Sequence, residues 1–184
     1  MTYYSHSSFT NCSFSGCGNG VYNYGYDQNP NNYAGSLTLN NCNMSNNSGH
    51  GALGQYNQSF VVQNSTASRN GSYGLYNRWS HDMRVDNTTV ARNSVWGFIS
   101  YTRDDVLIRN SLITDNGYGA YLYGTATGQN RLWNVTLANN GSTYNLYQYN
   151  GNLDLHNSIV SSSRGAGYGL LRVGSGQMNR SHNL

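Results

Sequence analysis

The sequence contains no lysine and no glutamate, although it is 184 residues long. Its ten basic residues are all arginine and its seven acidic residues are all aspartate, so only 9% of the chain is charged. Lysine and glutamate are strong helix formers, and their absence beside 22 glycines predicts few helices. The 17 tyrosines are an excess, and aromatic residues favour strands. The composition therefore predicts an all-β protein.

Other features that the sequence lacks exclude two kinds of partner. The formal net charge is only +3, and the arginines are scattered rather than gathered in the basic stripe that nucleic acid requires. No apolar run approaches the roughly 18 residues of a membrane span. We therefore expect neither nucleic-acid binding nor a membrane segment.

A short phrase, apolar-x-apolar-x-Asn followed by a second Asn and a Gly, returns seven times along the chain. The intervals between its anchoring asparagines are 30, 23, 23, 23, 24 and 23 residues, and these asparagines are Asn11, Asn41, Asn64, Asn87, Asn110, Asn134 and Asn157. A fixed period of this size is typical of a solenoid, in which each repeat buries its apolar face only against its neighbours. The longer first interval predicts a loop around residues 27–35 that holds the only proline, Pro30.

One repeat, which we call a coil, contains three short strands. In residues 83–86, Met83 and Val85 point inward by the two-residue period of a strand, and Asn87 turns the chain. Val90 lies on the second strand, Asn93 turns the chain again, and residues 97–101 form the third strand. An asparagine that recurs at one turn position can stack into an internal ladder and tolerates the left-handed conformation that turns require.

Units such as residues 106–117 (VLIRNSLITDNG) resemble the right-handed parallel β-helix superfamily, the pectate-lyase-like proteins. The resemblance covers about residues 9 to 184 and implies a right-handed parallel β-helix of about seven coils with three short strands per coil. It also implies extracellular polysaccharide lyases, hydrolases, epimerases, tailspikes or adhesins, or periplasmic proteins. We expect residues 1–184 to be a single domain, a piece of a longer chain, located outside the cell or on its surface.

The first candidate site is a row of tyrosines on the third strands. Strand alternation puts them outward, on successive coils of one face, where rings with hydroxyls suit the stacking of sugars or a protein interface. The alternative is that they only pack under loops and against one another. These residues are Tyr22, Tyr24, Tyr76, Tyr101, Tyr121, Tyr123, Tyr147 and Tyr149.

The second candidate site lies in the loop that follows the third strand. Asp82 and Asp105 each precede an inward residue, so their Cα atoms are expected about 4.8 Å apart on neighbouring coils. Paired carboxylates can share a proton in glycoside hydrolysis, with His81 beside them, or bind Ca²⁺ through their oxygens. The structural alternative is that both carboxylates cap a loop and pair with Arg78 or Arg103. No Cys/His pattern predicts another metal.

Three further observations concern the first strand and the turns. Arg109 and Trp133 point outward on the first strand, where a mixed polar and aromatic surface suits an acidic glycan. Cys12 and Cys42 follow equivalent asparagines, so they are either stacked buried thiols or a disulfide. Glycosylation sequons begin at turn asparagines that we predict to point inward or bond the backbone: Asn64, Asn87, Asn134 and Asn140.

Three functions remain open from the sequence. The first is polysaccharide recognition through the tyrosines, without a cofactor. The second is a polysaccharide lyase, hydrolase or epimerase that uses the stacked aspartates. The third is a structural stalk or adhesin whose tyrosines mediate homo-oligomerisation.

Overall fold

The computed structural model describes the whole chain except residues 1–4, 26–32, 103, 126, 142, 162–163 and 165–166. The described residues form a parallel β-helix with three parallel sheets of eight, seven and seven strands and no helix. This confirms the fold class predicted from the repeat. Residues 27–32 of the predicted loop at Pro30 and the candidate partner Arg103 lie outside the described residues, and Gly35 already belongs to a strand.

Each coil contributes one strand to each sheet. Sheet A is formed by His6–Thr10, Gly35–Asn40, Asn57–Gln63, Asp82–Asp86, Val106–Arg109, Gln129–Trp133, Asn152–His156 and Met178–Ser181. Sheet B is formed by Ser13–Phe14, Asn43–Met44, Thr66–Ser68, Thr89–Ala91, Leu112–Thr114, Thr136–Ala138 and Ile159–Val160. Sheet C is formed by Val21–Tyr24, Ala52–Gln55, Leu75–Arg78, Trp96–Tyr101, Tyr118–Tyr123, Tyr144–Tyr149 and Tyr168–Val173.

The core is a column of apolar side chains inside the three sheets. In the fourth coil Met83, Val85 and Val90 are buried, as the strand alternation predicts. Val90 pairs with Ala67 on one side and Ile113 on the other, so residues 23 apart are neighbours in the sheet. The inward positions predicted in the other coils of sheet A are buried as well: Leu37, Leu39, Phe60, Val62, Val106, Ile108, Leu153 and Leu155.

A buried asparagine ladder runs along the turn between sheets B and C. In its middle, Asn93 Oδ1 accepts hydrogen bonds from the backbone N–H of Asn70 at 3.1 Å and from Asn70 Nδ2 at 2.8 Å. Asn93 Nδ2 donates to Asn116 Oδ1 at 2.9 Å and to the carbonyl of Ala67 at 3.1 Å. This amide therefore bonds donors and acceptors on the coils before and after its own, which meets the requirement that a buried polar group be hydrogen-bonded. The ladder comprises Asn47, Asn70, Asn93, Asn116 and Asn140.

In most coils, a glycine at the start of the sheet C strand packs against this ladder. A Cβ placed on Gly97 would lie 2.5 Å from Asn116 Nδ2 and 2.9 Å from Ile113 Cγ2. The same crowding recurs at Gly74, where a Cβ would meet Asn93 Nδ2 at 2.6 Å. The glycine after the second Asn of the repeat is thus required by the close approach of the amide.

The anchoring asparagines of the turn between sheets A and B form a second, exposed column. Asn87 has a φ of 46°, and its Nδ2 donates to Asn64 Oδ1 at 2.9 Å. Asn134 likewise has a φ of 56° and bonds Asn110 at 3.2 Å. The prediction that Asn64, Asn87 and Asn134 point inward or bond the backbone is therefore wrong, since their side chains are exposed and bond one another. Only Asn140 of the four sequon asparagines is buried.

Cys12, Cys17 and Cys42 are free thiols. Cys12 and Cys42 do occupy equivalent positions on neighbouring coils, because the residue after Cys42 donates its N–H to the carbonyl of Cys12 at 2.9 Å. The buried Cys42 thiol donates to the carbonyls of Phe9 and Asn40, each at 3.4 Å. The structure therefore has stacked thiols rather than a disulfide, although only Cys42 is buried and Cys12 is partly exposed.

Candidate functional site

The outer face of sheet C carries the tyrosines that the sequence analysis selected, which we call the tyrosine cluster. Its residues pair directly across coils: Tyr101 with Tyr123, Tyr123 with Tyr149, and Tyr121 with Tyr147. Each of the four consecutive coils from Tyr76 to Tyr149 presents at least one outward tyrosine. Six of the eight side chains are partly exposed, and Tyr22 and Tyr24 are more exposed, at 54% and 42%.

The tyrosine row is interrupted between its first and third coils. The coil between them presents Leu53 and Gln55 outward, paired with Tyr22 and Tyr24. Leu53 is only 8% exposed, and Ile99, outward on a later coil, is only 4% exposed. In the sheet, Leu53 lies between Tyr22 and Tyr76, and Ile99 lies between Tyr76 and Tyr121, so tyrosines flank both aliphatic side chains. The expected row on successive coils is therefore continuous only from Tyr76 onward.

Tyrosine rings on neighbouring coils stack on one another. The ring centroids of Tyr121 and Tyr147 are 5.0 Å apart with planes inclined by 22°, and those of Tyr123 and Tyr149 are 5.3 Å apart at 10°. Centroid distances of about 4.5–7 Å with nearly parallel planes are typical of offset-stacked rings. Each ring face is thus partly covered by the next ring. The surface presents ring edges, hydroxyls and parts of faces rather than a flat platform.

Sequence reasoning missed a second set of rings beside the tyrosine cluster, at the start of the strands of sheet C. His50 stacks on Tyr73 at 4.8 Å, and Trp96 stacks on Tyr118 at 4.7 Å. Most of these rings directly precede the glycine that packs on the asparagine ladder, so the pattern aromatic-Gly was the available signal. The flanking rings are His50, Tyr73, Trp96, Tyr118, Tyr144 and Tyr168.

Crowding of the rings changes their acidity. Burial raises the pKa of Tyr121 to about 12, and the neighbouring phenols Tyr101 and Tyr147 add to the shift. Burial also raises the pKa of Tyr76 and of Tyr101 above the ordinary value. The hydroxyls of these three residues therefore stay protonated through the neutral range and can donate hydrogen bonds. Burial lowers the pKa of His50 in the flanking set.

The loop carboxylates lie near one another, but each has its own surroundings. Asp82 and Asp105 are on neighbouring coils, since the residue after Asp82 donates its N–H to the Asp105 carbonyl at 3.0 Å. Both line one small depression together with Arg84 and Arg131. Asp105 accepts from Arg131 Nη1 and from the backbone N–H of Gln129, both at 3.1 Å. The structure thus brings the two carboxylates to one depression.

His81 belongs to a different pair. Its Nδ1 contacts Asp104 Oδ2, one coil further on, and its ring packs edge-on against Tyr33 with centroids 4.8 Å apart. A carboxylate on Nδ1 fixes the orientation of an imidazole. Among the described residues, Asp105 forms its ion pair with Arg131 rather than with the expected Arg78. The other expected partner, Arg103, lies outside the described residues.

Arg109 and Trp133 lie on the outer face of sheet A, away from the tyrosine cluster. Arg109 Nη2 donates to Asp86 Oδ2 at 2.7 Å, and Trp133 Nε1 donates to Asp154 Oδ2 at 3.0 Å. Burial tends to raise the pKa of Asp86, but hydrogen bonds from Arg109 and Asn110 and the Arg109 charge hold it below its ordinary value. A groove beside them is lined by Arg84, Leu107 and Arg109. The ten residues predicted to bind substrate therefore divide between two faces.

Two further findings concern metals and membranes. Among the described residues, no group of three or more His, Cys, Asp or Glu side chains is arranged to hold a metal ion. Nor does any described segment form a helix with the length and apolar character needed to cross a membrane.

The chain belongs to the right-handed β-helix family. The family model described as a right-handed beta helix region matches residues 1–183, nearly the whole sequence. Searches of curated proteins and of solved structures returned no significant match. The family and the fold agree, and neither identifies a reaction.

Proposed function

We propose that this β-helix is an extracellular domain that recognises polysaccharide through the tyrosine cluster. The observation that supports the proposal most is the run of partly exposed rings on four consecutive coils, from Tyr76 to Tyr149. A sugar offers C–H groups that pack on the open parts of the ring faces and hydroxyls that bond phenols. The partly covered faces favour this mixed contact over flat stacking alone.

The test compares one outward substitution from each sheet. In Tyr147→Ala we expect glycan affinity to fall about tenfold or more, because interface energy concentrates in aromatic anchors. Leu112→Ala on sheet B, where the side chain is 38% exposed, is the matched control and should bind as the unaltered protein does. Trp133→Ala tests whether the outer face of sheet A contributes to glycan binding. Glycan-array binding and calorimetry measure the three variants, and circular dichroism checks their fold. Equal binding by Tyr147→Ala and Leu112→Ala would refute recognition through the tyrosine cluster.

A second candidate function is polysaccharide cleavage or epimerisation at Asp82 and Asp105. The depression that both carboxylates share with Arg84 and Arg131 favours it, since arginine binds the carboxylate of an acidic sugar. The carboxylates would serve as acid and base, or hold Ca²⁺. Turnover of acidic glycans that persists in Asp82→Asn and in Asp105→Asn would exclude this role.

The third candidate is a stalk that associates through the tyrosine cluster. Ring surfaces of this kind also suit a homo-oligomer. Light scattering over a range of protein concentrations would show an increase in mass that Tyr147→Ala abolishes. A monomer at all concentrations excludes this candidate.

A further inference from the structure

The ring contacts of the tyrosine cluster follow the long axis of the β-helix. Tyr76 contacts Tyr101 at 6.2 Å, Tyr101 contacts Tyr121 at 5.5 Å, and Tyr121 contacts Tyr147 at 5.0 Å, measured between ring centroids. Each contact joins one coil to the next, and neighbouring parallel strands are about 4.8 Å apart. A ligand lying along this row therefore meets a similar set of ring atoms at every coil.

The outer face of sheet C has almost no charge. Among its outward positions only Arg78 is charged, and the others are aromatic, aliphatic or amide side chains. These positions are Tyr22, Tyr24, Leu53, Gln55, Tyr76, Arg78, Ile99, Tyr101, Tyr121, Tyr123, Tyr147, Tyr149, Leu171 and Val173. An acidic polysaccharide would need a cation near each of its carboxylates to offset their loss of hydration. This face supplies one cation for seven coils, so it suits an uncharged chain.

Several phenol hydroxyls of the tyrosine cluster are available to a ligand. Tyr22 uses its hydroxyl to donate to Gln55 Oε1 at 3.2 Å. Within the part of the chain that the structure describes, the hydroxyls of Tyr101, Tyr121 and Tyr147 make no hydrogen bond to protein, and all three side chains are partly exposed. A phenol can donate and accept, which complements the alternating hydroxyls of a sugar chain.

We propose that the tyrosine cluster binds a neutral, extended, β-linked polysaccharide that runs parallel to the axis, with about one sugar facing each coil. This inference rests on the proposed function and adds the class of the ligand and its direction. A β-1,4-linked chain is a nearly straight ribbon whose repeat per sugar is close to the spacing of the coils. An α-1,4-linked chain curves into a helix and would leave the straight row after a few units.

Calorimetry with defined oligosaccharides tests the inference. The panel contains cello-, xylo- and manno-oligosaccharides of two to six units, with maltohexaose and a hexamer of galacturonate as comparisons. We expect the affinity for at least one β-linked neutral series to rise with each unit up to about four units, one for each coil from Tyr76 to Tyr149. Maltohexaose and the galacturonate hexamer should bind about tenfold more weakly or worse.

Two kinds of variant refine the test without removing a ring. Tyr101→Phe and Tyr121→Phe keep the stacked rings and delete one hydroxyl each, and each should weaken the β-linked hexamer several-fold. Leu112→Ala on sheet B is again the control, and it should leave the affinity for the neutral hexamer unchanged. Unaltered binding by both Phe variants would overturn the contribution of the hydroxyls.

The outcomes separate this inference from the proposed function. Tighter binding of the galacturonate hexamer overturns the neutral ligand, and equal binding of maltohexaose overturns the extended one. In both cases recognition through the tyrosine cluster survives if Tyr147→Ala still lowers the affinity about tenfold or more. A protein that binds no oligosaccharide of the panel and no glycan on an array overturns both proposals.

Discussion

Asn140 Nδ2 donates a hydrogen bond to Asn145 Oδ1 at 2.6 Å. Asn145 belongs to the same coil as Asn140 rather than to the next one. Every earlier ladder asparagine meets an asparagine one coil further on, for example Asn116 with Asn140 at 2.9 Å. Asn145 stands where the other coils have the glycine that packs on the ladder, and its Nδ2 donates to the carbonyl of Ser161 at 2.8 Å. It thereby ends the ladder without leaving the amide of Asn140 unsatisfied.

Replacing Asn145 with glycine should therefore destabilise the protein, although glycine is the usual residue at that position. The buried Asn140 would lose one of the two acceptors of its Nδ2 and also the acceptor of its backbone N–H. An unsatisfied buried donor costs about 1–3 kcal/mol. Chemical denaturation measures the change in the free energy of unfolding. Asn179→Ala is the control, because Asn179 is exposed and such a change usually stays within about 0.5 kcal/mol. A variant as stable as the control would show that the ladder needs no terminal acceptor.

The buried and exposed asparagine columns should respond very differently to substitution. Asn93→Ala removes an amide that makes four hydrogen bonds, so we expect a loss of about 3 kcal/mol or more. Asn87→Gly removes an exposed amide but keeps the left-handed backbone easy to form, so we expect a loss of about 0.5 kcal/mol or less. Thermal and denaturant unfolding of the two variants check the order. Similar losses at both sites would contradict the assignment of stability to the buried ladder.

The need for a glycine beside the asparagine ladder can also be tested by substitution. Gly97→Ala places a methyl group against Asn116 and Ile113, and overpacking of this kind costs about 1–3 kcal/mol. Gly18→Ala is a matched control, because a Cβ there meets no atom within 4 Å. The difference between their unfolding midpoints measures the crowding at the ladder. If the two variants unfold alike, the ladder must shift easily to admit the methyl group.

The acidity of Tyr121 predicts how stability depends on pH. Its pKa is raised to about 12 in the folded protein, against 10.0 for an ordinary phenol. Between these values the unfolded chain releases the proton while the folded one keeps it, so the free energy of unfolding must fall as the pH rises. The free energy of unfolding of Tyr121→Phe should fall less steeply over the same pH range. Parallel curves of the denaturation midpoint against pH would show that Tyr121 titrates as it does in the unfolded chain.

The repeat alone was enough to predict which residues are neighbours. Once the period is known, Val90 must lie beside Ala67 and Ile113, and apolar residues on alternate positions must face the core. The position of the buried asparagine ladder follows in the same way. These predictions succeed because each coil contacts only the coils beside it, so that sequence spacing determines spatial order.

Pairings between side chains were much harder to predict. Asp105 accepts a hydrogen bond from the backbone N–H of Gln129, yet its ion pair is with Arg131, which lies opposite Leu107. This diagonal contact depends on the reach and rotamer of a long side chain, which the period does not specify. Asp115 is a second example, since its carboxylate contacts Arg164, which is 49 residues further along the chain.

The aromatic surface was only partly predictable. Alternation correctly put the tyrosines on the outer face of sheet C, but it could not show that their rings overlap. Nor did it show that Leu53 and Ile99 would be covered on the outside of the sheet. Those outcomes depend on side-chain packing between coils, which composition alone does not determine.

The asparagine ladder also makes the aromatic surface extendable. Each ladder asparagine donates a hydrogen bond to the asparagine of the next coil and accepts one from the asparagine of the coil before it. An inserted duplicate of a 23-residue unit would therefore meet the same hydrogen-bonding groups on both sides. Duplication can thus lengthen the tyrosine cluster during evolution, one coil at a time, without changes to the interior.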